Sequence, residues 1–296
     1  MTKGLWLAAA AAIGVFSTSA HADEIQAAAD AINSQLAASG ANYRLEFAEW
    51  YTVIDGETVG VTRFFNDRGN KQLSAQFVPG DTRRAWSGPG ALSITWSDDT
   101  DNTLDVSVAA QDAAIASAMA TWEGQKCSEF GLSGGTIAAN TGLIGALNGG
   151  VFTGPTADIM QSGFRPGASF VAAFGPSGNG ILGVHFGFVF IDLSGAPTDI
   201  NNDGFSDKAL GDIYYNDGFA WSTSGSGGID IETVVLHESG HGLSQQHFGT
   251  AFLSPGNGEL HFAPRAVMNA AYSGVQRQLS GTDRGGHCSL WGSWPE

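Results

Sequence analysis

Apolar residues change period several times along this chain, and each change marks an expected element. Residues 5–16 form an unbroken apolar run behind a single charge, Lys3. Residues 25–36 are alanine-rich with helical character, residues 43–65 alternate as strands do, and Asn66-Asp67-Arg68-Gly69 ends that alternation as a turn. Residues 92–96 alternate again, residues 98–102 are a polar loop, and residues 112–125 place Ile115, Ala118, Met119 and Trp122 on one helical face, a core face. Residues 128–156 are glycine-rich and weakly patterned. FGPSGNG at 174–180 then leads into a strong apolar strand over 181–192. A last helical stretch lies within residues 230–249, DIETVVLHESGHGLSQQHFG.

That stretch carries the chemistry. His237 and His241, four apart, project from one face of a helix, and Glu238 beside them aims its carboxylate at the same space. Two imidazoles are two zinc ligands. A third leaves one position of a tetrahedral ion open for water, and His247 is the candidate. A continuing helix would turn His247 about 240° away from His241 and carry it roughly 9 Å along the axis, so the helix must stop and the chain double back. Gly242 and Ser244 stand where that turn belongs.

These residues resemble the metzincin clan of zinc peptidases, whose signature is H-E-x-x-H-x-x-G-x-x-H followed by a methionine turn. The family's glycine falls on Ser244, where a left-handed backbone costs a non-glycine residue about 1 kcal/mol or more. AVMNAAY at 266–272 is similar to the methionine turn of the matrixin branch, the family of the matrix metalloproteinases. The resemblance implies that Met268 lies under the metal and that Tyr272 helps wall the pocket beyond the cleaved bond. Ala157-Asp158-Ile159 looks like the start of the third matrixin strand, residues 211–217 with Trp221 look like the strand and turn before the zinc helix, and Leu279, Asp283, Gly286, Leu290, Trp291 and Gly292 look like the closing helix.

The resemblance implies an α+β, metzincin-type zincin over residues 91–296. Its parts would be a twisted mixed sheet of about five strands, an active-site helix, a backing helix and a C-terminal helix. The strand at 181–192 would form the upper edge of a cleft and pair with an extended peptide, although a plain core strand has the same composition. The implied activity is that of a secreted zinc metalloendopeptidase, with Zn2+ as cofactor, Glu238 as general base and extended protein or peptide as substrate. A secreted zinc-binding or adhesive module of the same fold, with little turnover, is the alternative.

The remaining residues refine this picture. Residues 1–22 read as a secretory signal, with Ala20-His21-Ala22 as the cleavage site, and no later run is apolar enough for a transmembrane segment. Loss of Lys3 takes the formal charge from −16 to −17, which argues against a nucleic-acid partner. Cys127 and Cys288 are the only cysteines, and one disulfide is the simplest reading for an oxidising compartment.

Residues 23–90 read as a separate prosegment or accessory region. It contains no cysteine, so the thiolate latency switch of matrixins is absent. Asp81 in FVPGD resembles the aspartate switch of the astacin branch, against the reading of a plain Pro-Gly-Asp turn. Asp199, Asn201, Asp203 and Asp207 have the layout of an EF-hand-like calcium loop around Gly204, but Leu210 stands where the bidentate glutamate belongs. A structural Ca2+ and a solvated Asx-turn loop are both open there. His185 reads as a packed histidine; Tyr214 stands where a further ligand of a matrixin structural zinc is expected, so no second zinc is expected. His261 and His287 read as surface or core residues.

Overall fold

The computed structural model describes residues 19–53, 60–66, 75–86, 92–99, 104, 106–137, 141–148 and 154–295. The apolar run 5–16 with Lys3, and parts of the loops at 66–69 and 98–102, lie outside these residues. The chain is a mixed α+β fold. Its helices are α1 (Ser19–Ala38), α2 (Val108–Glu123), α3 (Gly167–Phe174), α4 (Ile231–Gly242) and α5 (Gly281–Trp291).

The strands β1 (Tyr43–Val53), β2 (Thr62–Phe64), β3 (Ala75–Gln76), β4 (Ile94–Asp99), β5 (Leu132–Ile137), β6 (Ile159–Arg165), β7 (Ile181–Phe190) and β8 (Ser206–Asn216) belong to one sheet, which β13 (Ala271–Tyr272) completes. Two short ribbons, β9 (Trp221–Ser222) with β10 (Ile229–Asp230) and β11 (Thr250–Leu253) with β12 (Leu260–Ala263), lie apart from it.

The sheet runs β13-β1-β7-β8-β6-β4-β5, with β2 paired to β1 and β3 to β8. Strands β5, β4, β6 and β8 are parallel to one another, β7 is antiparallel to β8, and β1 is antiparallel to β7. Two apolar layers cover the two faces. On one, Ile115, Met119 and Trp122 of α2 and Val234 and Leu236 of α4 pack on Ile94, Ile159, Leu182 and Ile213. On the other, Ile25, Ile32 and Leu36 of α1 and Phe170 and Phe174 of α3 pack on Leu45, Val184, Phe186 and Phe188. Along β7, Val184, Phe186, Phe188 and Phe190 follow the period-two pleat onto the second layer, while Ile181 and Leu182, at the register shift opposite Tyr51 and Thr52, join different layers.

The sheet differs from the expected one in size and in its edge. Among the described residues it has nine strands rather than about five, and part of 23–90 is built into it: β1 lies inside the sheet, and Phe77 belongs to the same core as Met268 and Trp291. The strand at 181–192 is therefore no free edge, because β1 fills the side expected for a peptide. The physical reason lies in β1's own composition. YRLEFAEWYTV buries Leu45, Phe47, Ala48 and Tyr51, residues of both faces, which only an internal strand can do.

Helix α2 carries Ile115, Ala118, Met119 and Trp122 buried, as its spacing predicts. Cys127, just beyond it, is disulfide-bonded to Cys288 in α5, with Cα atoms 5.6 Å apart and a sequence separation of 161. Helix α1 runs unbroken through the expected cleavage point after Ala22. Among the described residues no helix is long and apolar enough to cross a membrane.

Candidate metal centre

Helix α4 begins at Asp230, whose side chain accepts from the Thr233 amide at 2.9 Å and is clamped by Arg277. Every residue from Thr233 to Gly242 is buried, as a helix held between α2 and the sheet must be. Trp122 Nε1 donates to the Leu236 carbonyl at 2.9 Å, and a Cβ on Gly240 would stand 2.4 Å from Met268 Sδ, so the glycine lets Met268 close on the helix.

The helix ends as the placement of His247 requires. Ser244 takes φ 66°, the Gln245 amide donates to the Gly240 carbonyl and the Ser244 amide to the His241 carbonyl. This is the paired-bond pattern of a left-handed helix terminus, with serine in glycine's place. The chain doubles back and brings His247 to the other two histidines. His241 Nε2 lies 3.1 Å from His237 Nε2 and 3.2 Å from His247 Nε2.

These contacts are not hydrogen bonds between the first pair of rings. His237 Nδ1 sits 2.7 Å from the Val267 carbonyl and His241 Nδ1 2.8 Å from the Gln245 carbonyl. A carbonyl oxygen only accepts, so each Nδ1 carries the proton and each Nε2 presents a lone pair to the same point. Facing lone pairs repel unless a cation lies between them. Burial lowers the pKa of His237 and His241 well below the ordinary value and that of His247 to about 4, which holds the rings in the neutral form that ligates metal. Among the described residues His237, His241 and His247 are the group whose ligand atoms, within 4.8 Å of one another, could hold a metal ion.

Glu238 is fully buried beside them, and neither carboxylate oxygen has a hydrogen-bond partner of good geometry. Burial first, and the charge of Glu49 second, push its pKa well above the carboxylate range; the nearby Tyr51 main chain opposes the shift. Gly183 of β7 makes room for it, since a Cβ there would lie 2.7 Å from Glu238 Oε1.

The loop carrying Met268 is tied from three sides. Asp283 accepts from the Val267 amide at 2.9 Å and the Met268 amide at 3.1 Å while also closing the capping box of α5 with Ser280. Asn269 accepts from the Ala266 amide and donates to the Phe248 carbonyl, and the Phe248 amide donates to the Met268 carbonyl. Tyr272 Oη accepts from the Asp230 amide at 3.1 Å, which sets its ring beside the start of α4.

Strand β1 contributes groups that the sequence did not single out. Tyr51 stacks on His237 with ring centroids 3.8 Å apart and planes at 15°, and Tyr272 meets Tyr51 edge-on at 6.3 Å. Glu49 Oε2 lies 3.2 Å from His185 Nδ1 and 3.3 Å from His241 Nδ1, and burial raises its pKa to about 8 against the pull of Lys208. Lys208, fully buried, donates to the His241 and Gly242 carbonyls at 2.8 and 2.7 Å at the C-terminal end of α4, and burial lowers its pKa to about 7 against the pull of Glu49 and Asp158. His185 is a packed residue between Glu49 and Lys208.

Two other sequence candidates sit elsewhere. Asp81 is engaged by the Arg83 guanidinium in a turn at Val78–Asp81, while Glu49 and Tyr51 are the N-terminal residues that reach the histidines, so Asp81 is not a switch on this site. In the loop expected for calcium, Asp199 accepts from the Asp203 and Gly204 amides, Asp203 accepts from the Phe205 amide and the Asn201 amide group, and Asp207 pairs with Arg83 and Thr198. Those are the bonds of an Asx-turn loop held by its own backbone.

No known family model matches the chain, and no curated protein matches it.

Proposed function

We propose that the protein is a zinc-dependent endopeptidase in which His237, His241 and His247 hold the metal and Glu238 is the general base. The observation that carries this reading is the convergence of the three imidazoles, with the Nε2 lone pairs of His237 and His241 fixed inward by carbonyls on their Nδ1 atoms. The donor set fits the ion: three neutral nitrogens leave a tetrahedral zinc one open position. Zinc bound there supplies a Lewis acid that acidifies water and polarises a carbonyl.

The chain's own residues do the rest. Glu238, next to His237 in sequence and buried beside the three rings, would accept a proton as the carboxylate and return it to the leaving amine. The Val267 and Gln245 carbonyls keep two rings in the ligating tautomer. Tyr272 and His237 flank the place that Tyr51 takes in this structure. The substrate we assign is extended polypeptide, and we read the fold as metzincin-like and the protein as secreted. The disulfide supports an oxidising compartment.

The complete burial of Glu238, His237 and His241 favours a second reading, a zinc-binding module with little turnover. Hydrolysis of denatured casein by the zinc-loaded protein, set beside a Glu238→Gln variant of equal zinc content, separates the two. Cleavage by the parent that chelation abolishes and the variant lacks supports the enzyme; zinc bound by both with no cleavage by either, even after displacement of β1, refutes it.

A further inference from the structure

The groove beside β7 is already occupied by the chain itself. Strand β1 lies between β7, to which it is antiparallel over Tyr43–Thr52, and β13, to which it is parallel at Thr52 and Val53. Main-chain addition of an extended segment to a sheet is a general way to bind polypeptide, with side-chain pockets setting the preference. Here the register puts Tyr51 opposite Gly183, the glycine that leaves room for the Glu238 carboxylate. The Tyr51 main chain therefore passes beside Glu238, while its ring lies flat on His237 and edge-on to Tyr272.

The side chains at this seam match less well than the backbone does. Among the described residues Tyr51 Oη has no hydrogen-bond partner, Glu238 has the Tyr51 main chain beside it, and the buried Glu49 carboxylate accepts a long bond from the Thr62 hydroxyl, at 3.3 Å, beside two imidazoles. The main-chain ladder from Tyr43 to Thr52 is what holds this contact. A cavity of about 250 Å³ beside His247, bordered also by Gln245, Met268 and Asp283, is not lined by Glu238. The β1 main chain at Tyr51 covers the carboxylate on the β7 side.

We propose that β1 is an internal stand-in for a polypeptide ligand: it fills the groove between β7 and β13 with Tyr51 as anchor between His237 and Tyr272, and its displacement opens the groove to another extended polypeptide bearing an aromatic side chain at that place. What happens to the bound polypeptide rests on the hydrolase reading; the occupancy does not.

The test uses the full, zinc-loaded chain and a Tyr51→Ala variant. A fluorescein-labelled peptide copying Glu46–Val53 is expected to bind the variant and not the parent, and the same peptide with its tyrosine replaced by alanine to bind about tenfold more weakly. Zinc loss to dipicolinate is expected to be about tenfold faster from the variant, a readout independent of turnover. Peptide binding and faster zinc loss without casein cleavage would uphold self-occlusion and sink the hydrolase reading. Casein cleavage by the parent at the variant's rate, with its β1 amides still protected, would uphold the hydrolase and sink self-occlusion. Amide hydrogen exchange on the unaltered chain serves if the variant does not fold: β1 amides exchanging well ahead of the β7–β8 ladder support the proposal, and exchange of both at one rate overturns it.

Discussion

The two sides of the histidine cluster are held in different ways. On the C-terminal side, side chains are tied to the backbone at fixed points: His237 to the Val267 carbonyl, His241 to the Gln245 carbonyl, and Asp283 to the amides of Val267 and Met268. On the N-terminal side β1 is joined to β7 by its backbone, and at the seam Tyr51 Oη has no partner among the described residues. One side is preorganised and permanent. The other rests on a main-chain ladder, as a segment docked on a sheet does.

The largest effect expected from breaking this comparison is chemical. Glu238→Gln keeps the size and place of the side chain and removes the base, so casein hydrolysis falls by at least about 100-fold with zinc content unchanged. On the tied side, Asp283→Ala strands two buried amides at Val267 and Met268 and removes the capping box of α5. That costs about 3–5 kcal/mol, read as a lower urea midpoint at unchanged slope. Reducing the Cys127–Cys288 disulfide removes about 2–4 kcal/mol, because it closes a long loop.

Acid sharpens the comparison further. His237, His241 and His247 have folded pKa values below the ordinary histidine value, with His247 at about 4, so the unfolded chain binds protons first. Stability of the metal-free protein is therefore intact above about pH 6.5 and falls as pH drops from there towards 4. Thermal scans across that window should show the loss, and a His247→Asn variant should show a shallower one. The smallest effect is at the turn. Ser244 holds φ 66° with its hydroxyl buried and unpartnered, so Ser244→Gly stabilises by about 1 kcal/mol in urea unfolding.

Much of the C-terminal site was legible because its signals are local. The spacing of His237, Glu238 and His241 is a helical period, the distance to His247 demands a chain reversal, and Ser244 supplies it with the left-handed backbone expected there. Trp122 and its neighbours lie on one face for the same reason. The two cysteines left a single pairing. What was not legible depends on distant partners. Alternation shows that residues 43–53 form a strand, but not that they pair with β7 some 130 residues later and cover the site, nor that the sheet reaches nine strands.

Glu49 and Tyr51 carried no motif, whereas Asp81, which did resemble one, is held by Arg83. Asp283 reads in sequence as a helix cap and only in space as the anchor of the Met268 loop. Within that strand the usable signal was apolar residues at both parities, Leu45, Phe47 and Tyr51 against Ala48, which call for cover on both faces.

Whether the three inward-facing imidazoles hold zinc is decided by metal analysis of the purified protein at neutral pH, beside a His247→Ala variant. One zinc per chain in the parent and its loss from the variant is the result expected. A parent without zinc, or a variant that retains it at the same stoichiometry, would contradict the account.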